Sequence, residues 1–368
     1  MSETKPLHIK SVDVIPLRIP FEDGSDRSPG LMPTKWTELD IALVRVETHD
    51  GIVGWGDGFA YACRRATVAA IEDLVIPQVV GKEIGDIVTF NRELQKRLHL
   101  HGRYGITMFA ISAIDIALWD IAAKLEGVPL SHLLGGRRRE TLPAYASLMR
   151  YGDPSTVHKY AAKAAAEGYK TVKLHEITVE AIEAGRDAVG DDILLTTDVN
   201  CNWSLDEALE IMPHMKRLNL FWVEEPTFPP DDEETLAALQ EKFGVAIASG
   251  ENACTHVEFA RTIPKIQFCQ PSVTKVGGVS EFMAICHQAT KAEKVLMPHA
   301  PYFGPGFWAT AQIMAAQPVC GLFEHLYIQP EAYLDPAIPL PRDGIVTVPD
   351  RPGLGFDPDP AVIEKYRV

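Results

Sequence analysis

The sequence is short of positive charge: 35 lysines and arginines stand against 50 aspartates and glutamates, a formal net charge of −15. A nucleic-acid partner is therefore not expected, because binding phosphates needs a basic face that displaces counterions. Paired cysteines are missing as well. Cys63, Cys201, Cys254, Cys269, Cys286 and Cys320 include no C-x-x-C spacing, which argues against a zinc knuckle or a disulfide framework and for reduced thiols. No long run is free of charge, glycine and proline, and the opening MSETKPLHIK lacks the apolar stretch of a secretory signal. A cytoplasmic protein with no membrane partner is the expectation. Disorder-prone composition is absent too, since 46% of residues are hydrophobic and 23% charged.

A chain of 368 residues suits a (β/α)8 barrel of roughly 250 residues with a smaller companion domain. Residues 8–20 and 40–60 alternate or run apolar around an Asp50-Gly51 turn, which predicts an antiparallel strand pair. The stretch 106–127 is apolar on most sides and ends on Gly127 and Pro129, the stop signals of a buried helix. From about residue 142 the rhythm changes to short β-prone runs alternating with amphipathic ones. Eight strands are predicted, in TLPAYASL, KTVKLH, ILLTTDVN, LFWVEEP, VAIASGEN, IQFCQPSV, KVLMP and GLFEHL. Eight such units predict a closed parallel barrel. The Gly- and Pro-rich stretch 343–359 cannot be another unit and is expected to fold back onto the first domain. The division expected is an α+β capping domain over 1–128, the catalytic barrel over 129–335, and a returning segment over 336–368.

Catalytic groups of such barrels sit at the carboxyl ends of the strands. Read in order, those ends carry Lys173 and His175, Asp198 and Asn200, Glu224 and Glu225, Glu251 and Asn252, then Ser272, His299 and Glu324. Carboxylates on three successive strands, Asp198, Glu224 and Glu251, supply hard oxygen ligands suited to Mg2+. Without a cation they would repel one another and need compensating bases. Alternation along a strand sends both Lys173 and His175 inward but only one of Glu224 and Glu225. Glu224 is assigned to the metal and Glu225 to its surroundings.

At these residues the chain resembles the mandelate racemase subgroup of the enolase superfamily. The likeness runs through SAIDIALWDIAAK and LLGG, VKLHE, DVN, VEEP, SGEN, K-V-G-G, the PH of the seventh strand and VTVPDRPGLG. It implies Mg2+ on Asp198, Glu224 and Glu251, and Lys173 against a substrate carboxylate. It puts His175 in an acid/base position, Asn200 in contact with substrate, His299 as the seventh-strand histidine and Glu324 as a donor to the carboxylate. A homo-oligomer is the common state of that family. One position departs. Where many members have an aspartate partner for the histidine, or a lysine base, this chain has Ser272, so His299 lacks a carboxylate to stabilise its imidazolium, although Ser272 could still orient it.

The reaction that the resemblance implies is abstraction of the α-proton of a small carboxylate substrate to give a metal-stabilised enediolate. Lys173, His175 and His299 are the catalytic candidates; Asn200, Ser272 and Glu324 are the substrate-binding ones. Dehydration of a sugar acid to a 2-keto acid is favoured, because two histidines suit one base and one acid. Racemisation, epimerisation or cycloisomerisation of a hydroxy or amino acid is the alternative. A barrel that binds metal or metabolite without chemistry is the reading from another class. Specificity is expected from the loop 21–36, through Arg27, Lys35 and Trp36.

Overall fold

The computed structural model describes residues 6–24 and 36–368, so the expectations for Arg27 and Lys35 lie outside the described residues. Strands β1 (Leu7–Glu22), β2 (Glu38–Thr48) and β3 (Val53–Gly58) form an antiparallel meander. The strand pair read from sequence is one strand short: residues 40–60 are themselves a hairpin, turned where Gly51 takes φ of +81°. A two-residue β4 (Glu83–Ile84) adds to the far edge of β1.

Four α-helices follow among the described residues of this half, α1 (Arg64–Ala70), α2 (Ile76–Val79), α3 (Ile87–Arg97) and α4 (Ile106–Leu125). α4 lies directly on β3 because every second residue of that strand is glycine. A Cβ added at Gly56 would stand 2.0 Å from the Ala113 carbonyl oxygen. α4 is long and apolar enough to cross a membrane, yet 83% of that window is buried inside the protein, as a core helix requires.

After α5 (Leu130–Leu133) the chain alternates β5 (Thr141–Ser147), α6 (Pro154–Ala166), β6 (Thr171–Leu174), α7 (Val179–Val189), β7 (Leu194–Asp198), α8 (Leu205–Arg217) and β8 (Trp222–Glu224). It continues through α9 (Glu233–Phe243), β9 (Ile247–Ser249), α10 (His256–Thr262), β10 (Phe268–Cys269), α11 (Gly278–Lys291), α12 (Pro305–Ala316) and β11 (Phe323–Leu326). Strands β5 to β10 pair in parallel in sequence order, and β11 returns to pair β5. The expected seventh strand, KVLMP, contributes only Leu296, whose backbone bridges Cys269 on one side and Cys320 on the other. With that bridge the (β/α)8 barrel is closed. The alternation is encoded at the turns. Asp153, Thr178, Ser204, Asp232 and Thr255 each cap the following helix by accepting a backbone N–H. Inside the barrel Tyr145, Trp222, Ala248, Phe268 and Met297 fill one layer and form a floor.

The last segment runs back over the first half. β12 (Gln329–Pro330) pairs β1, and β13 (Ile345–Thr347) pairs β5 antiparallel. The Leu354 N–H donates to Asp120 of α4 at 2.7 Å. After α13 (Pro360–Tyr366), the Val368 N–H donates to the Pro16 carbonyl of β1 at 3.1 Å.

Asp57, at the end of β3, reaches from the capping half to the barrel and accepts the Gly306 N–H at the start of α12 at 2.6 Å. Burial pushes its carboxyl up to about 7, against the pull of that hydrogen bond. A folded-state value above the unfolded one means that the fold binds this proton more tightly, so ionising Asp57 costs stability as pH rises from about 4 to about 7. Asp57→Asn removes that cost. Relative to the native chain the variant should gain stability between pH 5 and 8, by up to about 4 kcal/mol for a shift of about three units. Thermal unfolding at the two pH values reads the difference; a gap independent of pH would show that Asp57 is not protonated in the fold.

Candidate active site

The mouth opens at the carboxyl ends of β5 to β11, and the candidates converge there. Asp198 ends β7, Glu224 ends β8 and Glu251 follows β9; one ligand oxygen from each lies within 4.8 Å of the others. Oxygens bound to one Mg2+ at about 2.1 Å stand about 3 Å apart when adjacent and about 4.2 Å when opposite, so the three would close in on the ion. Three hard, convergent carboxylates, Asp198 and Glu224 buried and Glu251 partly so, fit that ion, and no thiol competes among them.

Lys173 rises from β6 into the middle of this charge. Its Nζ donates to Glu224 Oε1 at 2.5 Å and lies 3.2 Å from Asp198 Oδ2 and 3.3 Å from Glu324 Oε1. Burial would lower the lysine, but Glu224, Glu324 and Asp198 prevail and raise it well above the usual range. The acids respond unequally. Burial pushes all of them up; Lys173 and His175 nonetheless hold Asp198 low, whereas the Asp198 charge reinforces burial at Glu224 and drives it well up. Burial together with Glu251 and Asp198 does the same to Glu225.

The alternation argued from sequence ends at the strand tips. Asn200, Cys201 and Glu225 take φ of +45°, +59° and +42°, conformations that cost non-glycine residues on the order of 1 kcal/mol or more each and collect at functional sites. The Glu225 Oε2 accepts from the Cys201 thiol at 3.7 Å, while its buried Oε1 has no hydrogen-bond partner among the described residues. Asn200 lines the cavity; its Oδ1 accepts from Arg150 Nη2 at 2.8 Å, and its N–H donates to Asp198 Oδ1 at the same distance.

The two histidines face each other across the acids. His175 Nε2 stands 3.4 Å from Asp198 Oδ2, and its Nδ1 meets the Leu148 carbonyl. His299 Nε2 stands 3.3 Å from Glu251 Oε2, and its Nδ1 meets the Tyr302 hydroxyl at 3.1 Å. Burial pushes His299 down to about 4, against the opposing pull of Glu251. Glu324, on β11, is fixed by the Ser147 hydroxyl and the Ala300 N–H, each donating at 2.9 Å.

Ser272 sits differently from the sequence expectation. Its hydroxyl bonds the Tyr302 hydroxyl, so it reaches His299 through Tyr302 rather than directly, and the cavity wall is formed by other residues. Sequence reasoning missed Tyr302 and gave Lys275 no role, although K-V-G-G was among the motifs. Lys275 Nζ donates to Asn252 Oδ1 at 3.0 Å, lies 3.6 Å from Glu251 Oε1 and sits 4.2 Å over the Phe59 ring. The two glycines that follow take φ of +106° and +84°, and a Cβ at Gly278 would stand 2.4 Å from Asp115 Oδ1 of α4. That contact joins the S-A-I-D motif to the K-V-G-G loop. The Tyr61 hydroxyl donates to the Pro301 carbonyl at 2.6 Å, and with Trp36 and Phe59 it walls the mouth. The cavity is about 210 Å³, which suits a small molecule and no polymer.

Comparison with known proteins gives matches along both halves. Residues 156–362 match the enolase C-terminal domain-like family and residues 28–135 the N-terminal domain of mandelate racemase and muconate lactonizing enzyme. An arabinonate dehydratase of Saccharolobus solfataricus is 31% identical over 89% of this chain and 91% of its own. A D-galactarolactone cycloisomerase of Agrobacterium fabrum is 29% identical over 96% of each. Among solved structures, a racemase from Streptomyces coelicolor with bound magnesium superposes with a TM-score of 0.83 at 26% identity, over 98% of this chain and all of that one.

Proposed function

The chain belongs to the mandelate racemase and muconate lactonizing enzyme family of the enolase superfamily, and from that premise we propose that it is a Mg2+-dependent lyase that dehydrates a sugar acid to a 2-keto acid. The observation that carries the reading is the convergence of Asp198, Glu224 and Glu251, with Lys173 against the first two and a histidine on either side.

Mg2+ held by the three acids would supply positive charge to the substrate carboxylate, whose α-proton is otherwise too weakly acidic to remove. Lys173 binds the same carboxylate; Glu324, expected from sequence to donate to it, instead accepts from Ser147, the Ala300 N–H and Lys173 and so anchors that lysine. Asn200, already braced by Arg150, orients the substrate. A histidine takes the α-proton, the enediolate forms, a protonated histidine gives a proton to the β-hydroxyl so that it departs as water, and the resulting enol shifts its hydroxyl proton, through solvent, to the β-carbon to become the 2-keto acid. Lys173 and Mg2+ also answer the charge problem, since a protein of −15 repels an anion everywhere except at such a local positive group. A small carboxylate is the partner; self-association and a cytoplasmic setting belong to the same proposal.

Racemisation or cycloisomerisation is the second reading, favoured by the likeness to a named cycloisomerase and a named racemase. Incubation of the Mg2+-loaded protein with aldonates, aldarates and hydroxy or imino acids in D2O separates them. Formation of a 2-keto acid is expected. α-Deuterium incorporation with water retained would move the assignment to the isomerase reading, and inertness toward every acid would return the barrel to binding without chemistry.

A further inference from the structure

We infer that the acid taken by this site is a monocarboxylate whose remote end is uncharged and deoxygenated, a methyl-ended sugar acid rather than a diacid, and that Trp36, Tyr61 and Leu326 select it. The carboxylate end rests on the proposed reaction; the remote end rests on the wall that faces it.

The chemistry of the cavity changes along the strand ends. On β11, Glu324 and Leu326 share the inward face, and after the seventh strand His299 is followed two positions later by Pro301; Leu326 and Pro301 both line the cavity. Two residues of strand advance roughly 7 Å, so charge gives way to hydrocarbon within the length of a short acid. The capping half adds three rings to the same wall, Trp36, Phe59 and Tyr61.

Tryptophan and tyrosine ordinarily bring a polar handle to a binding site. Here both handles are engaged by backbone. The Trp36 indole N–H donates to the Glu38 carbonyl at 2.7 Å, and the Tyr61 hydroxyl donates to the Pro301 carbonyl at 2.6 Å. Neither side chain has a second hydrogen to give. The rings are also braced: Trp36 lies 4.8 Å from Tyr61 and 5.1 Å from Phe21, and Phe59 lies 5.4 Å from Tyr61, between centroids. A carboxylate, which only accepts, therefore meets no donor on this wall. A terminal hydroxyl fares better, because the Tyr61 oxygen keeps a lone pair, but it gives up hydration for one acceptor. A methyl group gives up nothing and gains burial.

No cation offsets a second charge there. The lysines that line the cavity both serve the reacting end. Lys173 is held by Asp198, Glu224 and Glu324, while Lys275 Nζ donates to Asn252 Oδ1 at 3.0 Å and lies 3.6 Å from Glu251. No arginine lines the cavity among the described residues. A diacid would bury its second carboxylate against hydrocarbon, in a protein whose net charge of −15 already opposes it.

The test offers the Mg2+-loaded full chain matched sets of acids, each set of one stereochemistry and ending in methyl, hydroxymethyl or carboxylate. Turnover is read as 2-keto acid or α-deuterium, and binding as the rise in melting temperature. Within a set that is turned over, kcat/KM should fall about tenfold from methyl to hydroxymethyl and at least about tenfold further to carboxylate. Trp36 is only partly buried, so Trp36→Gln should fold; it puts a donor into the wall and should narrow the methyl-to-carboxylate ratio about tenfold. A carboxylate-ended acid turned over or bound as well as its methyl-ended partner overturns the inference, and so does an unchanged ratio in Trp36→Gln. If no acid is turned over, the proposed reaction fails and the order of the melting shifts decides the wall by itself. If no acid shifts the melting temperature either, the inference falls with it.

Discussion

In a Glu224→Gln chain, turnover is expected to fall at least about a thousandfold. Glu224 is buried, and burial and the Asp198 charge already oppose its ionisation. The amide keeps the shape but has one acceptor oxygen for two donors, the Trp222 indole at 3.0 Å from Oε2 and Lys173 Nζ at 2.5 Å from Oε1, so a buried hydrogen bond is lost along with the charge. Removing it also takes away a ligand. Added Mg2+ should raise the melting temperature of the native chain through binding to the folded state alone and that of the variant much less. Melting curves in chelator and in Mg2+, with turnover beside them, check all three statements. A variant that binds and turns over normally would remove Glu224 from the metal site.

Lys173→Met carries the second large effect, on stability as well as on turnover. The ammonium is the cation shared by Asp198, Glu224 and Glu324, and removing one member of a buried ionic cluster leaves charges that neither water nor a partner compensates. A loss of about 3–5 kcal/mol is expected in chelator at neutral pH, read by denaturant unfolding. Mg2+ should restore part of it, because the ion replaces the missing charge. Activity should fall by about a thousandfold even in saturating Mg2+, since the substrate carboxylate loses its fixed cation. Unchanged stability in chelator would mean that the acids bear protons in the folded protein and need no counter-charge.

What could be read before any coordinates follows the range of the interactions involved. The barrel was legible because each unit declares itself locally: an apolar run, then a Ser, Thr or Asp cap. Asp198, Glu224 and Glu251 were legible because strand ends of a barrel share one rim. The seventh strand was over-read, since KVLMP is β-prone while only Leu296 bridges its neighbours. The relay from Ser272 to His299 was not legible, because nothing in HAPYFGPG states that the tyrosine three residues on will turn back to its own histidine. Lys275 lay in a recognised motif, but its setting over Phe59 depends on a residue more than two hundred positions away. The left-handed turns at Asn200, Cys201 and Glu225 carry no glycine to announce them.

The backbone of β1 is also bound by residues about 350 positions later in the chain. Leu17 bridges Arg367, and Pro16 accepts from Val368. On a ribosome adding about 5–20 residues per second, the edge of β1 thus waits roughly 20–70 s for its final neighbour. The first sheet made is among the last to be sealed, and an unsatisfied strand edge is a template for another nascent chain. Yield in cells should therefore depend on synthesis rate and on holding factors more than the finished barrel's stability suggests.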